Sequence, residues 1–243
     1  MDLIVQVRMG SNRLPNKILY NVLDDISFLK YFYNRARKSK KINRIIIATT
    51  SNKKDNIIED ICIQNNWYYY RGSELDVLDR FYQTSLKFNC KNIMRITSDC
   101  PLIDFNIIDK MIDKFNHLKK ISCLTVYYHG KHGFPDGINP EIFTFDSLKK
   151  AWENTQIQQD REHVSLYIHR NMKVEKFKLN IPKNIILNLD KLHLSLDTSQ
   201  DLENLRKIIS YFHKNGKNDN FTYIDILNYL NNLSEDEIKK FYI

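Results

Sequence analysis

Leu3-Ile4-Val5-Gln6-Val7, followed at once by Arg8-Met9-Gly10-Ser11-Asn12-Arg13-Leu14-Pro15-Asn16-Lys17, is the stretch that decides the fold. The first part reads as a short, mostly apolar strand. The second holds three cations, a glycine, a serine and a proline before a helical pattern begins. A loop leaving the carboxyl end of a buried strand is where an open α/β sheet binds its ligand. Glycine there lets the backbone approach an anion closely, and free N–H groups with Arg and Lys supply the counter-charge. The segment predicts a polyphosphate cradle.

Outward from it, strand and helix patterns alternate. Phe28, Leu29, Phe32, Tyr33 and Ala36 fall at helical spacing. Arg44 to Thr49 is a β-branched run suited to a buried parallel strand. Ile57, Ile58, Ile61 and Cys62 return to helical period, and Trp67 to Tyr70 reads as a third strand. Val77, Leu78, Phe81, Tyr82 and Leu86 predict a helix, Ile93 to Thr97 a strand, and Ile107, Ile108, Met111, Ile112 and Phe115 another helix. This order implies a three-layer α/β fold, a mainly parallel Rossmann-like sheet with helices on both faces. The second half is less regular. Ser122 to Tyr128 is expected to be extended and His129 to Pro140 to form a loop. Helices are expected over Asp146–Asn154 and Asp160–Arg170, and strands near Val174–Leu179 and His193–Leu196. Leu202, Leu205, Ile208, Ile209 and Phe212 mark a further helix. No repeat, linker or composition break divides the 243 residues, so one domain over 1–243 is expected.

Hydrophobic and charged contents of 42% and 27% are those of a soluble globular chain. No stretch approaches the ~20 apolar residues of a membrane span. A strand from Leu3 leaves no room for a signal peptide ahead of it, so a cytoplasmic location is expected. Cys62, Cys90, Cys100 and Cys123 form no C-x-x-C pair, which disfavours a disulfide framework or structural zinc. The net charge of +8 comes from scattered lysines without a basic stripe interleaved with aromatics. That pattern reads as solvated surface and not as a nucleic-acid interface.

Neither G-x-G-x-x-G nor the P-loop pattern occurs, which disfavours dinucleotide dehydrogenases and P-loop NTPases. Three further loops lie at predicted strand ends. Arg71 to Arg80 is read in two ways, as a helix start capped by Ser73 with acids in its first turn, or as a strand end from which Arg71 reaches a nucleobase or phosphate. In Arg95 to Asp104, Asp99 directly follows a buried strand. A carboxylate there suits Mg²⁺, which takes one or two protein carboxylates and completes its shell with water and phosphate oxygens. The alternative is that Asp99 or Asp104 merely caps the next helix; the metal role is favoured for Asp99 and capping for Asp104. In Leu194 to Asp201, Asp197 offers a second metal carboxylate. His129 and His132 flank Gly130 without a third ligand and read as solvated loop residues. His163 either meets an acceptor or packs.

Taken in order, these motifs resemble the spore-coat-polysaccharide type of cytidylyltransferase, a branch of the CMP-sugar synthetase nucleotidyltransferases that includes CMP-KDO and CMP-sialate synthetase-like enzymes. The relatives' "IIQARMGSTRLPGKVL" is matched by Ile4 to Leu19, "RGSEDDVLDRY" by Arg71 to Phe81, and "RITGDCPLID" by Arg95 to Asp104. "FPDGLDVEVF", "REHVTPYI" and "LTVDTPEDL" are matched by Phe134 to Phe143, Arg161 to Ile168 and Leu194 to Leu202. The resemblance implies a nucleotide-diphospho-sugar transferase-like domain. It implies CTP on Arg8, Met9, Gly10, Ser11, Arg13 and Lys17, with Thr97 and Ser98 beside the nucleotide and Arg71 near the cytosine. Asp99 and Asp197 would hold Mg²⁺, and with Arg8 and Lys17 would form the catalytic set. Asp136, Glu141, Arg161, Glu162 and His163 would face the acceptor. The implied reaction transfers CMP from CTP to a sugar or sugar-like acid for surface polysaccharide synthesis, releasing pyrophosphate. No nucleic-acid or membrane partner is implied, and a homodimer is left open. A sugar 1-phosphate or other phosphorylated acceptor is the first alternative, and a non-catalytic nucleotide-binding scaffold in a glycan assembly complex the second. Three departures stand out: Asn16 and Ser98 replace glycines, and Asn139-Pro140 replaces an acidic-apolar pair.

Overall fold

Alternation along the first strand sets the two faces of the molecule, because successive side chains of a strand point to opposite sides. In the computed structural model, which describes residues 1–126 and 135–243, that strand is β1 (Asp2–Gln6). A hairpin of β2 (Asn21–Leu23) and β3 (Ile26–Ser27) follows, then α1 (Phe28–Ala36), β4 (Arg44–Thr50), α2 (Asn56–Gln64), β5 (Tyr68–Gly72), α3 (Val77–Lys87), β6 (Asn92–Thr97) and α4 (Phe105–His117). The second half supplies β7 (Cys123–Thr125), β8 (Glu141–Thr144), α5 (Phe145–Asn154), α6 (Gln158–His163), α7 (Leu166–Asn171) and β9 (Val174–Lys176). The helices α8 (Ser199–Lys214), α9 (Tyr223–Asn231) and α10 (Glu235–Ile238) complete it.

The central sheet has the order β5-β4-β1-β6-β8-β7-β9. β1 lies parallel to both β4 and β6, and β5 parallel to β4, while β8 runs antiparallel to β6 and β7. Leu3, Val5 and Val7 face a core shared with α1, α4, α8 and α9; Ile4, Ile46 and Ala48 face α3, α5 and α7. A mainly parallel sheet buried on both faces is thus what the β-branched runs produce. The parallel strands β5, β4, β1 and β6 all end at one edge, and Gln6 stands in register with Ala48 and Thr97. Among the described residues no helix is long and apolar enough to cross a membrane.

Five expectations change. His193–Leu196 alternates like a strand but forms only isolated bridges, Asp136 to His193 and Leu192 to Tyr242. Its backbone is spent on neighbouring loops: Leu194 N–H donates to Asp136 O at 2.8 Å and Leu196 N–H to Asp99 O at 2.8 Å. The helix expected over Asp160–Arg170 is broken in two at Val164, a buried residue with φ 58°, an unusual setting for a β-branched side chain. The strands expected at Trp67–Tyr70 and Val174–Leu179 are Tyr68–Gly72 and Val174–Lys176. Within Ser122–Tyr128 only Cys123–Thr125 is strand; residues 127–134, with His129, His132 and Phe134, lie outside the described residues.

The last third is tied to α4 by two buried charges. Arg35, 0% exposed, donates to the carbonyls of Ile103, Asp219 and Phe221 at 3.1, 2.9 and 3.1 Å. Asp104 is the expected cap: its Oδ1 accepts from Asn106 N at 2.7 Å and Ile107 N at 3.3 Å. Its Oδ2 also accepts from Tyr223 N at 2.6 Å, so one carboxylate starts α4 and α9 together. Asp104→Ala removes a cap and the acceptor of a buried amide, a loss of about 2–4 kcal/mol. Asp104→Asn should lose less, since Asn caps as well as Asp. Urea unfolding checks this; equal losses in the two variants would contradict the capping role of Asp104.

Candidate active site

The loop after β1 leaves the sheet between β4 and β6, with Val7 N–H on Ala48 O and Ser98 N–H on Gln6 O. Its path is fixed locally. Asp55, itself bonded by Thr50 Oγ1, accepts from Met9 N at 2.7 Å. Ser11 Oγ accepts from Leu14 N at 3.3 Å, and Leu14 and Ile18 are buried anchors. Asn16 takes φ 58°, a left-handed setting that Asn tolerates where most side chains resist it, and this turns the chain into the short 3-10 helix Lys17–Leu19. Lys17 is thereby aimed inward. A Cβ at Gly10 would meet only Glu74 Oε1 at 3.6 Å, ordinary contact. Gly10 therefore answers no internal crowding and leaves the backbone open to the cleft.

Lys17 Nζ donates to Asp99 Oδ2 at 3.0 Å and to Asp197 Oδ1 at 2.9 Å. Arg13 Nη2 reaches the same Asp197 oxygen at 2.9 Å. Burial works against the Lys17 charge, but the two carboxylates outweigh it and raise its pKa. The carboxylates come from distant loops locked together by the Leu196–Asp99 backbone bond. Behind Asp197, Asp201 Oδ2 accepts from Asp197 N and Thr198 N, and Asp201 also closes the capping box that starts α8. Gly137, with φ 99°, packs against the Leu194 and Ser195 backbone so closely that a Cβ would stand 2.3 Å from Leu194 C. Only glycine fits there, and it seats Asp136 beside His193 at 3.3 Å.

Asp99 and Asp197 form a hard-oxygen donor pair that already holds one cation, and such a pair suits Mg²⁺. Among the described residues, Asp99 Oδ1 has only a Cys100 thiol contact at 3.7 Å. Asp136, His193 and Asp197 also bring ligand atoms within 4.8 Å of one another. The Asp136 carboxylate, 3.3 Å from the ring, joined by that of Asp201, lifts the His193 pKa to about 10. Asp136 and His193 stand behind Asp197, with His193 Nε2 3.6 Å from Asp197 Oδ2.

A cleft of about 740 Å³ opens over these groups, within the size range of ligand pockets. Arg8, Gly10, Ser11, Arg13, Lys17, Thr97, Ser98, Asp99 and Asp197 all border it, and Glu162 and His163 enter from α6. Other sequence candidates stand elsewhere. Met9 is partly buried against the core and gives the loop only its backbone bond. Arg71 does not border the cleft. Its guanidinium donates to Thr50 O, Glu59, Asn52 O and Asn56, bracing β5 against β4 and α2. Arg161 is drawn to Asp76 at 3.3 Å and to the Trp152 carbonyl, tying α6 to the start of α3. Asp136, half exposed, bonds Gly137 N, Asn139 and Ser195. Glu141 lies below the sheet's end, 6% exposed, bound by Arg95 at 3.0 Å, His169 at 2.9 Å and Ser165 at 2.7 Å. Sequence reasoning missed Asn52, Glu74 and Arg80, which border the cleft. Glu74 and Arg80 sit inside the Arg71–Arg80 motif, where they read as helix-start residues; Asn52 carried no signal.

A sequence profile described as cytidylyltransferase matches residues 3–228. An uncharacterised protein of Methanocaldococcus jannaschii, MJ1063, is 39% identical over 227 residues, covering 87% of this chain and 90% of the relative. The spore coat polysaccharide biosynthesis protein SpsF of Bacillus subtilis is 30% identical over 234 residues, covering 94% and 92%. Among solved structures, a cytidylyltransferase from Leptospira borgpetersenii superposes with TM-score 0.84 at 29% identity, covering 99% of this chain and 96% of that one.

Glu141 provides a test of the line between strut and site. Burial acts to raise its pKa, but the His169 hydrogen bond and the Arg95 charge outweigh burial and hold it down at about 2. A depressed carboxylate contributes stability that is complete above its unfolded value near 4.5 and is lost as pH falls towards 2. At about 1.4 kcal/mol per unit, Glu141→Gln should cost about 3 kcal/mol at pH 7. That cost should shrink as pH falls from 4.5 to 2, while ligand affinity of the cleft stays unchanged. Urea unfolding across pH checks the first expectation; a pH-independent cost would contradict it.

Proposed function

The chain belongs to the cytidylyltransferase family, and on that premise we propose that it transfers CMP from CTP to a sugar or sugar-like acid with Mg²⁺, releasing pyrophosphate. The observation that carries the reading is the Lys17 ammonium between Asp99 and Asp197, facing the Arg8–Arg13 loop in one cleft. Charge of this kind and placement matches a triphosphate and a hard dication. The relative named for spore coat polysaccharide biosynthesis supports a sugar-like acceptor and a role in surface glycan synthesis. We read residues 1–243 as one nucleotidyltransferase domain.

In this reading Arg8, Arg13 and the open backbone at Gly10 hold the triphosphate. Asp99 and Asp197 would hold the metal, which neutralises phosphoryl charge when bound. Lys17 lies where it can follow the charge that builds on the departing pyrophosphate. The acceptor oxygen, its proton released to solvent, forms a bond to the α-phosphorus as the bridge to the β-phosphate breaks, and the electron pair leaves with pyrophosphate. Glu162 and His163 orient the acceptor from α6. Positioning and charge neutralisation supply most of the acceleration in such a transfer, so no covalent nucleophile is required.

Pyrophosphate release from a panel of nucleoside triphosphates, followed by mass detection of CMP-linked products over a panel of acceptor sugars and sugar acids, tests the reading. Product from a sugar 1-phosphate and none from a sugar acid would redirect the assignment. Arg8→Ala should lower kcat/KM for CTP about 10- to 100-fold, the worth of a charge-assisted phosphate contact. Asp99→Asn keeps size but gives a hard dication a neutral oxygen. Turnover should fall by ~100-fold or more, with the melting temperature nearly unchanged. Near-normal turnover in Asp99→Asn would remove Asp99 from the metal site.

A further inference from the structure

Most charged groups bordering the cleft are spoken for; Arg80 is not. It stands on α3, 1% exposed, and borders the cleft. Its Nη1 donates to the Ser73 carbonyl at 2.5 Å. Its Nε is buried with no partner, and Nη2 donates to no described residue. No carboxylate among the described residues comes within ion-pair distance of it, and the reason is visible. Asp55 is held by Met9 N and Thr50, Glu74 by Asn52 and Arg8, and Asp76 by Asp79 N and Arg161. Each nearby acid is committed elsewhere.

A buried guanidinium without a counter-ion is costly, and this one is deliberately accommodated. A Cβ on Gly72 would stand 2.9 Å from Tyr70 Cε1 and 3.1 Å from Arg80 Cγ, so the glycine clears room for the arginine stem. Burial, and then the like charge of Arg8, push the Arg80 pKa down to about 10. Two cations thus lean on the same wall with their acids occupied. The unused nitrogens are Nε and Nη2, the adjacent pair that grips an oxyanion through two hydrogen bonds.

We propose that Arg80 is an anion subsite in the cleft wall, binding an oxyanion on the guanidinium nitrogens that Ser73 leaves unused. The oxyanion is a phosphate of the nucleotide or the carboxylate of the acceptor. The proposal rests on the reading of the cleft as the CTP site and adds a residue that grips the ligand's negative charge.

Calorimetric titration of wild type, Arg80→Met and Arg80→Lys with CTP, neutral cytidine and inorganic pyrophosphate tests it. If the anion belongs to the nucleotide, Arg80→Met binds CTP about tenfold or more weaker, with cytidine unchanged. Arg80→Lys, which keeps the charge and loses the fork, falls between. If CTP affinity holds while the acceptor KM rises about tenfold for an acidic acceptor and not for a neutral analogue, the anion is the acceptor's. Both results uphold the subsite. It is overturned if CTP and cytidine weaken together, or if neither CTP affinity nor acceptor KM moves. The melting temperature of ligand-free Arg80→Met should not drop, because an uncompensated charge is removed; if it does drop, the CTP-to-cytidine ratio measured at low temperature still decides. A wild type that takes no CTP refutes the proposed function instead, and equal pyrophosphate affinity in wild type and Arg80→Met then refutes the subsite as well.

Discussion

One ammonium shared by two carboxylates organises this molecule's reactive edge. Asp99 and Asp197 arrive from opposite halves of the chain and would repel each other if left alone. Lys17 Nζ, at 3.0 and 2.9 Å, holds them at a common point. That requires the loop after β1 to turn at Asn16, the β6 loop to lie against Leu196, and α8 to begin at Thr198 under its capping box. Burial works against the ammonium, but the two carboxylates outweigh it and raise the lysine's pKa, so the cation is retained across physiological pH. The same arrangement is poised for exchange. Under the proposed function, a hard dication would compete for the carboxylates, and the phosphates of a nucleotide would compete for the lysine.

Charge elsewhere at this edge is divided between struts and reagents, and neighbours decide which is which. Arg71 ends a strand just as Asp99 does. Glu59 and Asn56 on α2, and the carbonyls of Thr50 in β4 and of Asn52 just after it, bend it back into the scaffold. Glu141 sits beside Arg95, which also reaches Gln6 at 3.1 Å, so a buried network beneath the cleft fixes the ends of β6 and β8. Arg161 fastens α6 to α3. Its neighbours Glu162 and His163 border the cleft.

Much of this was legible before any coordinates. The β-branched runs at Ile4 and Ile45–Ile47 specify buried parallel strands, because only a sheet covered on both faces tolerates them. That the loop after β1 borders the cleft was legible because it leaves the carboxyl end of a buried parallel strand. Asp104 was legible as a cap from its place before a helix, although not its second duty to α9. Short pieces were not legible. β8 has four residues and β2–β3 fewer each, too few to show a period. The break at Val164 answers a tertiary demand, since Ser165 must turn its hydroxyl to Glu141. Asn52, Glu74 and Arg80 join the cleft through packing of α3 against β4 and β5, which no local pattern encodes.

The account turns on what Lys17, Asp99 and Asp197 do when ligand arrives. A crystal structure of the chain with CTP and Mg²⁺ is the most direct measurement. The account predicts the triphosphate between the Arg8–Lys17 loop and the two carboxylates, with Lys17 Nζ on a phosphate oxygen and the metal on Asp99 and Asp197. A triphosphate bound away from that loop, with Lys17 still spanning both carboxylates, would contradict it.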